Sequence, residues 1–229
     1  PGNSRLGRSE WDINKMTSYG LEAARRVVER SGLQLESVAG IGVTGQQQGL
    51  QLFDSDLRTV GPFISWQDQR SKEVVGAGNY LDLMAERGGA TQTASMLPEF
   101  RNTGCPLVTS YTASALFWLA HNGQLPAKVS ASTAPEWLVS RLTGRPPVTD
   151  PTDAAGWGVF DVPRLVWNTD LIATLGLKQS LFPEIATSCT SAGGLTRDAA
   201  DATGLPEGTP VSVASGDHQC AYAGTVADY

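Results

Sequence analysis

Three polar stretches of the sequence carry side chains suited to chemistry on a polyhydroxylated molecule. The first is the loop 45–49, a run of glutamines bounded by glycines, with Gln47 and Gln48 near its centre. Glycine lets the backbone turn sharply, and each glutamine side chain offers both hydrogen-bond donors and an acceptor. The loop therefore suits a ligand rich in hydroxyl groups, although a polar hairpin loop without a ligand has the same composition.

The second stretch, 65–70, brings Trp66, Asp68 and Arg70 close together in the chain. An aromatic ring can pack on the C–H surface of a sugar while a carboxylate and a guanidinium bond its hydroxyls. The alternative interpretation is a buried tryptophan beside an exposed ion pair, with no ligand involved.

The third stretch, 214–220, follows a β-rich run and contains Asp217, His218 and Gln219. An aspartate held there could orient a hydroxyl group and accept its proton. Taken alone, an aspartate after a glycine is also an ordinary turn former. The histidines and the three widely spaced cysteines lack the short spacings of a metal site, so we predict no metal site and reduced thiols.

Hydrophobic periodicity predicts the elements that must position these stretches. Helices are predicted after Asp12 as far as Gly32, over 111–121 and 134–142, and as short segments at 170–176 and 196–203. Strands are predicted over 38–43, 50–53, 63–66 and 210–214. This order indicates a single mixed α/β domain rather than the strict alternation of a doubly wound fold. In such proteins the chemistry sits on loops and strand ends.

The composition of the 229 residues excludes several classes of protein. With 41% hydrophobic and 17% charged residues, the chain is expected to fold rather than remain disordered. The net charge of -6 argues against nucleic acid as a partner. No apolar run approaches the ~20 residues needed to cross a bilayer, and no leader is recognised at the N-terminus, so we predict a cytoplasmic protein without membrane contact.

Taken together and in order, these stretches resemble the FGGY family of carbohydrate kinases. The loop 45–49 is similar to that family's Gly-Gln-x-x-Gly loop, and 66–70 to its Trp-x-Asp-x-Arg element. Segments 149–156 and 204–217 resemble the family's middle region and the approach to its catalytic loop. The sedoheptulokinase-like or xylulokinase-like branch looks most similar, through 153–160 and 216–219.

The resemblance implies an α/β ribonuclease-H/actin-like ATPase fold, with residues 1–229 as the N-terminal sugar-binding domain of a two-domain kinase. It implies that the family's first strands and its C-terminal nucleotide-binding domain are absent from this chain. The implied activity is ATP-dependent phosphorylation of a sugar hydroxyl, with ATP and Mg²⁺ as cofactors of the full-length enzyme. The implied acceptor is a ketose of the sedoheptulose, xylulose or ribulose type, and the isolated chain is expected to be inactive.

By matching positions, the resemblance makes Asp217 the general base of the reaction. The substrate-binding residues that it implies, in contact with the sugar or bracing its pocket, are Gln47, Gln48, Trp66, Asp68, Arg70, Tyr111, His218 and Gln219. Many ketose kinases of the family carry Met-His in place of Gln47-Gln48, so the identity of the sugar stays open.

Two other functions remain open at the level of sequence. The first is a non-catalytic sugar-binding or regulatory protein derived from a kinase. The second is a hydrolase of the same superfold, for which Asp54, Asp56 and Asp68 are loose metal-binding candidates. An exposed sheet edge would also favour self-association, so a homodimer is a further hypothesis.

Overall fold

The computed structural model describes residues 7–92 and 96–226, which form a mixed α/β arrangement. The helices are α1 (Ile13–Ser31), α2 (Tyr80–Gly88), α3 (Thr112–His121), α4 (Ala134–Thr143), α5 (Pro151–Ala154), α6 (Thr169–Thr174), α7 (Arg197–Thr203) and α8 (Asp217–Thr225). The strands are β1 (Glu10–Trp11), β2 (Thr44–Gly45), β3 (Leu50–Phe53), β4 (Thr59–Ile64), β5 (Val74–Val75), β6 (Gly78–Asn79), β7 (Thr91–Gln92), β8 (Pro98–Glu99), β9 (Ser130–Ser132), β10 (Val148–Thr149), β11 (Phe160–Asp161), β12 (Val166–Trp167), β13 (Glu184–Ile185), β14 (Ser191–Gly194), β15 (Pro210–Ser212) and β16 (Ser215–Gly216).

Helix α1 begins and ends where its capping residues predict. The side chain of Asp12 accepts hydrogen bonds from the backbone amides of Asn14 and Lys15, which would otherwise lack partners. Gly32 ends the helix at φ 65°, a left-handed conformation that glycine adopts without steric cost. The predicted helix after Asp12 is therefore confirmed.

Four strands, ordered β1-β4-β3-β9, pair into an antiparallel sheet. The predicted strand 50–53 is confirmed as β3, which pairs with β4 and β9. The strand predicted over 63–66 instead runs over β4 and ends at Ile64. It ends there because Ser65 starts a turn, in which its carbonyl accepts the amide of Asp68 at 3.0 Å.

A set of short parallel strands forms the part of the fold that matters for function. Strand β2 pairs with β16, Thr149 of β10 bridges Ala214, and β10 pairs with β13, all in parallel. The strand predicted over 38–43 is wrong in its bounds, since the regular pairing lies at Thr44–Gly45 and only a bridge at Ile41 precedes it. Because parallel strands end at the same edge of a sheet, the segments after β2, β10 and β16 emerge together.

The largest hydrophobic core surrounds helix α3, in which every residue from Thr112 to Leu119 is buried. Aromatic rings fill the space beside it, with the Trp157 and Trp167 centroids 5.2 Å apart. A second cluster of Val43, Val139, Val211 and neighbouring residues packs under the parallel strands. Within residues 7–92 and 96–226, no helix is both long and apolar enough to span a bilayer.

Replacement of Leu116 by alanine should destabilise the chain by about 2–5 kcal/mol, because it opens a cavity where the side chain is fully buried. The matched control Leu33→Ala, at a position 63% exposed, should stay within about 0.5 kcal/mol of the wild type. Denaturant unfolding followed by circular dichroism measures both values. Equal effects of the two substitutions would contradict this placement of the core.

Candidate active site

The pairing of β2 with β16 brings two of the predicted stretches into contact. Thr44 lies opposite Ser215 and Gly45 opposite Gly216, so the loop after β2 and the helix after β16 leave the sheet side by side. The Gln47 side-chain oxygen lies 3.2 Å from His218 Nδ1, and its nitrogen lies 2.7 Å from Gln219 Oε1. Gln47, His218 and Gln219 therefore form one polar cluster beside Asp217.

Two glycines make room for the side chain of Gln47. A methyl group added at Gly216 would overlap the Gln47 carboxamide, and one added at Gly156 would overlap the Gln47 backbone carbonyl. Here glycine is required for close approach and not for a special backbone angle, since Gly216 has φ -64°. Any side chain at these two positions would displace Gln47 from His218 and Gln219.

Asp217 is the first residue of α8 and remains accessible from solvent. Its Oδ1 accepts the backbone amide of His218 at 2.9 Å, and its side chain is 47% exposed. It borders a cavity of about 380 Å³ whose other lining residues come from the β2 end and from helices α1 and α4. The Asp217 carboxylate is therefore accessible to a small molecule. The other predicted substrate-binding residues do not line this cavity within the described part of the chain.

A buried carboxylate that sequence reasoning missed, Asp150, fixes the segments behind this cluster. It is fully buried and accepts hydrogen bonds from the Asp153 amide at 2.8 Å and from the hydroxyls of Thr152, Ser188 and Ser215 at 2.7, 2.6 and 2.9 Å. These four hydrogen bonds compensate the loss of hydration of the buried carboxylate, because hydrogen bonds to a charged acceptor are stronger than those between neutral groups. Through these hydrogen bonds Asp150 holds the end of β10, strand β16 and the loop after β13 next to one another.

Thr152 links this buried network to the predicted residues. Its hydroxyl accepts the amide of Gly216 at 2.8 Å, and its carbonyl accepts the side-chain nitrogen of Gln47 at 2.5 Å. The sequence signal was present, because Asp150-Pro151 reads as a helix N-cap followed by proline in the first turn. That signal predicts a short helix, but not which strands it contacts.

Asp68 and Arg70 form a buried ion pair with each other. Arg70 Nε lies 2.8 Å from Asp68 Oδ1, and its Nη2 lies 3.0 Å from Asp68 Oδ2 and 2.7 Å from Glu10 Oε1. The guanidinium also lies over the ring of Trp118, 5.3 Å from its centroid. These contacts brace the turn after β4, and a direct contact of either residue with a ligand remains a prediction.

The protonation of Asp68 follows from its partners. Burial alone would raise the pKa of this carboxyl, but the hydrogen bonds from Arg70 and from the Ser9 amide outweigh burial and hold the pKa below its usual value. The pair therefore stays ionised at neutral pH. Its contribution to stability is present above the ordinary aspartate pKa and is lost as the pH falls towards the lowered value.

The remaining predicted residues lie at different depths in the fold. Trp66 is 45% exposed on the turn after β4, and Gln48 is half-buried. Tyr111 is buried and packs against Gly158, and burial, followed by the neighbouring Cys105, raises the pKa of its phenol. A direct role of these three residues in ligand binding stays a prediction.

The carboxylates named for a hydrolase metal site are bonded elsewhere. Asp54 accepts the backbone amides of Asp56 and Arg58, and Asp68 is held by Arg70. Among the residues that the structure describes, no three histidine, cysteine, aspartate or glutamate side chains are grouped as a metal site would require. The arrangement therefore gives no support to a metal-dependent hydrolase.

Solved structures of other proteins have the same fold as this chain. A xylulose kinase from Lactobacillus acidophilus superposes with a TM-score of 0.82 at 22% identity, over 97% of this chain and 42% of that chain. A gluconate kinase from Lactobacillus acidophilus superposes with a TM-score of 0.80 at 22% identity, over 94% of this chain and 41% of that chain. The predicted ribonuclease-H/actin-like α/β fold is thereby confirmed.

The sequence comparison makes the assignment more specific. Residues 3–224 match the model of the FGGY family of carbohydrate kinases, N-terminal domain, and the chain belongs to that family. A glycerol kinase from Shewanella sp. (strain ANA-3) is 30% identical over 203 residues, covering 85% of this chain and 38% of that protein. The chain thus spans about two-fifths of the length of the relatives it matches.

Replacement of Arg70 by alanine should cost about 3–5 kcal/mol, because it leaves Asp68 buried without its cation. The matched control Arg58→Ala breaks the exposed pair with Asp56 and should cost less than about 1 kcal/mol. Urea unfolding at neutral pH measures both. An Arg70 variant as stable as the Arg58 variant would show that the buried pair does not brace the turn.

Proposed function

We propose that this chain is the sugar-binding part of an ATP-dependent sugar kinase, in which Asp217 is the general base. The observation that carries the proposal is the parallel pairing of β2 with β16, which joins Gln47 to His218 and Gln219 beside an accessible carboxylate. Membership of a carbohydrate kinase family supports the same conclusion. The nucleotide half of the site would belong to a longer protein.

In this proposal Gln47 acts as a brace for the residues that touch the sugar. Both of its amide hydrogens are engaged, one by the Thr152 carbonyl and one by Gln219 Oε1. Its carboxamide therefore orients Gln219 so that the Gln219 amide group can donate to a sugar hydroxyl. Its oxygen lies 3.2 Å from His218 Nδ1, and in this proposal the other ring nitrogen of His218 would contact the sugar.

In this proposal Asp217 removes one proton from a sugar hydroxyl. A sugar hydroxyl held between Asp217 and Gln219 would lose its proton to the carboxylate as its oxygen attacks phosphorus. ATP would supply the phosphoryl group and would leave as ADP when the bond between its γ-phosphorus and the bridging oxygen breaks. Mg²⁺ would neutralise the charge that develops on oxygen. Positioning supplies much of the rate enhancement in such reactions, which fits a site built on strand ends and a buried network.

We propose a ketose of the sedoheptulose, xylulose or ribulose type as the acceptor. The support is the resemblance of segments 153–160 and 216–219 to ketose kinases of the family. The relatives themselves carry the names of glycerol, xylulose and gluconate kinases, so the family alone does not select the acceptor. A cytoplasmic location and a homodimer belong to the same proposal.

The role of Asp217 is tested by Asp217→Asn in the full-length parent protein. Loss of the base should lower kcat by about 10²- to 10⁴-fold while the KM for the sugar changes little. The control Asp201→Asn changes an exposed aspartate on α7 and should leave kcat unaltered. A coupled ADP assay against a panel of ketoses and polyols measures both. Full activity of the Asp217 variant would refute the assignment.

The isolated chain should form no sugar-dependent ADP above background in the same assay. It would hold the sugar side of the site without the residues that bind the nucleotide, and no closure could exclude water. Appreciable turnover by the purified chain would overturn this expectation. A parent protein that binds ketoses without phosphorylating any of them would instead favour the non-catalytic sugar-binding alternative.

A further inference from the structure

Two buried acids, Glu136 and Asp153, lie against each other behind the candidate active site. Glu136 is in the first turn of α4 and Asp153 is in α5, and neither side chain has any solvent exposure. The two carboxyl groups are within hydrogen-bonding reach of each other. Nothing in the proposed reaction uses this acid pair.

Each acid has one oxygen that is satisfied and one that is not. The backbone amide of Thr133 donates to Glu136 Oε2 at 2.7 Å, and the Thr133 hydroxyl donates to Asp153 Oδ2 at 2.7 Å. Glu136 Oε1 and Asp153 Oδ1 are also buried, and they receive no hydrogen bond from any donor in the described residues. Two ionised carboxylates in this position would carry uncompensated charge at a large cost in free energy.

The surroundings contain further negative charge and no paired cation. Asp150 faces Asp153, and the hydroxyl of Thr149 faces Glu136. Within the described ranges, no lysine or arginine forms an ion pair with either acid. A proton on one acid would remove one charge and supply the missing donor for both unsatisfied oxygens.

We propose that Glu136 and Asp153 share a single proton, carried by Asp153, and that this acid pair positions the segment 150–153 that holds Gln47 and the start of α8. The Asp150 carboxylate, bonded by four donors, disfavours a second charge on Asp153. The amino-terminal end of α4 instead favours the charge on Glu136. The acid pair is then a positioning device, and its link to catalysis rests on the proposed function.

The directions of the pKa shifts of the two acids agree with this geometry. Burial raises the pKa of Glu136, and burial together with the charge of Glu136 raises the pKa of Asp153 well above its usual value. The folded chain therefore keeps a proton that the unfolded chain releases. The stabilising effect is fully present below the ordinary aspartate pKa and is lost as the pH rises through the raised value.

The first test follows the folding equilibrium constant of the chain from about pH 5 to about pH 8. One extra proton held by the folded chain makes this constant fall by about tenfold per pH unit until the acid pair titrates. Asp153→Asn places an amide donor where the protonated carboxyl stands, so it should abolish this component of the slope. The matched control Asp201→Asn should keep the wild-type slope. A wild-type slope in Asp153→Asn would overturn the proposal.

A second variant locates the proton. In Glu136→Gln the amide can donate to Asp153, but an ionised Asp153 then faces Asp150. Glu136→Gln should therefore have a smaller folding equilibrium constant at neutral pH than Asp153→Asn. The reverse order would overturn the assignment of the proton to Asp153.

Infrared spectroscopy detects the proton directly. The wild-type chain at neutral pH should show the carbonyl stretch of a buried protonated carboxyl group, and this band should be missing from Asp153→Asn. Absence of the band from the wild type would overturn the proposal. None of these measurements requires turnover, so they can fail while the proposed function holds, and the reverse is also true.

The positioning role is read out at His218 by nuclear magnetic resonance. Asp153→Ala removes the hydrogen bond from the Thr133 hydroxyl and the proposed bond to Glu136, so it should shift the ring resonances of His218, whereas Asp153→Asn should leave them in place. His121, which packs against Tyr80 at the end of α3, serves as the internal control in both variants. Unshifted His218 resonances in a folded Asp153→Ala chain would overturn the positioning role. If Asp153→Ala does not fold, Glu136→Gln and Asp153→Asn still test the shared proton.

Discussion

The candidate active site depends on one buried carboxylate and the four donors around it. Asp150 follows the end of β10, where it accepts hydrogen bonds from the Thr152 hydroxyl and the Asp153 amide in its own turn. It also accepts the hydroxyls of Ser188 and Ser215 from segments distant in the chain. A fully buried charge is tolerated only when hydrogen bonds replace its hydration, so the four donors must hold their positions. This constraint fixes the end of β16 relative to the end of β10, and with it the start of helix α8.

A gradient of burial runs from this carboxylate to the surface. Asp150 is fully buried, Thr152 and Gln47 are partly buried, and His218 and Gln219 are exposed. Each layer orients the next through a hydrogen bond, from Asp150 to Thr152 and from Thr152 to Gln47. The groups that would meet a sugar are therefore held by neighbours that no ligand needs to touch, as preorganised binding requires.

Most of the local structure could be predicted from the sequence, because caps and periodicity are short-range signals. Asp12 and Gly32 bound α1 as predicted, and Gly144 ends α4 where expected. The bounds of the strand before Gln46 could not be predicted. That strand is defined by its pairing with residues about 170 positions later in the chain. The sequence of neither segment indicates which strand it pairs with.

The same limit explains what was missed in the candidate active site. Gln47, Asp217 and Gln219 stood out because polar residues followed glycine at strand ends. Asp150 and Thr152 lie in a stretch that reads as an ordinary helix start, and their importance comes from Ser188, Ser215 and Gly216, which tertiary structure alone brings near. Asp68 and Arg70 show the opposite case. Their spacing in the sequence is typical of a sugar-binding site, but in the fold they form a buried ion pair that stabilises the turn after β4.

We propose that the ends of β2 and β16 form one sugar-binding surface. Titration of the isotope-labelled chain with xylulose, sedoheptulose and glycerol, followed by amide resonances, tests it most directly. Shifts should be confined to residues 45–49, 216–219 and the Trp66 indole, and they should be larger for the ketoses than for glycerol. Shifts that cluster elsewhere, or resonances of 45–49 and 216–219 that stay fixed at saturating ketose, would contradict it.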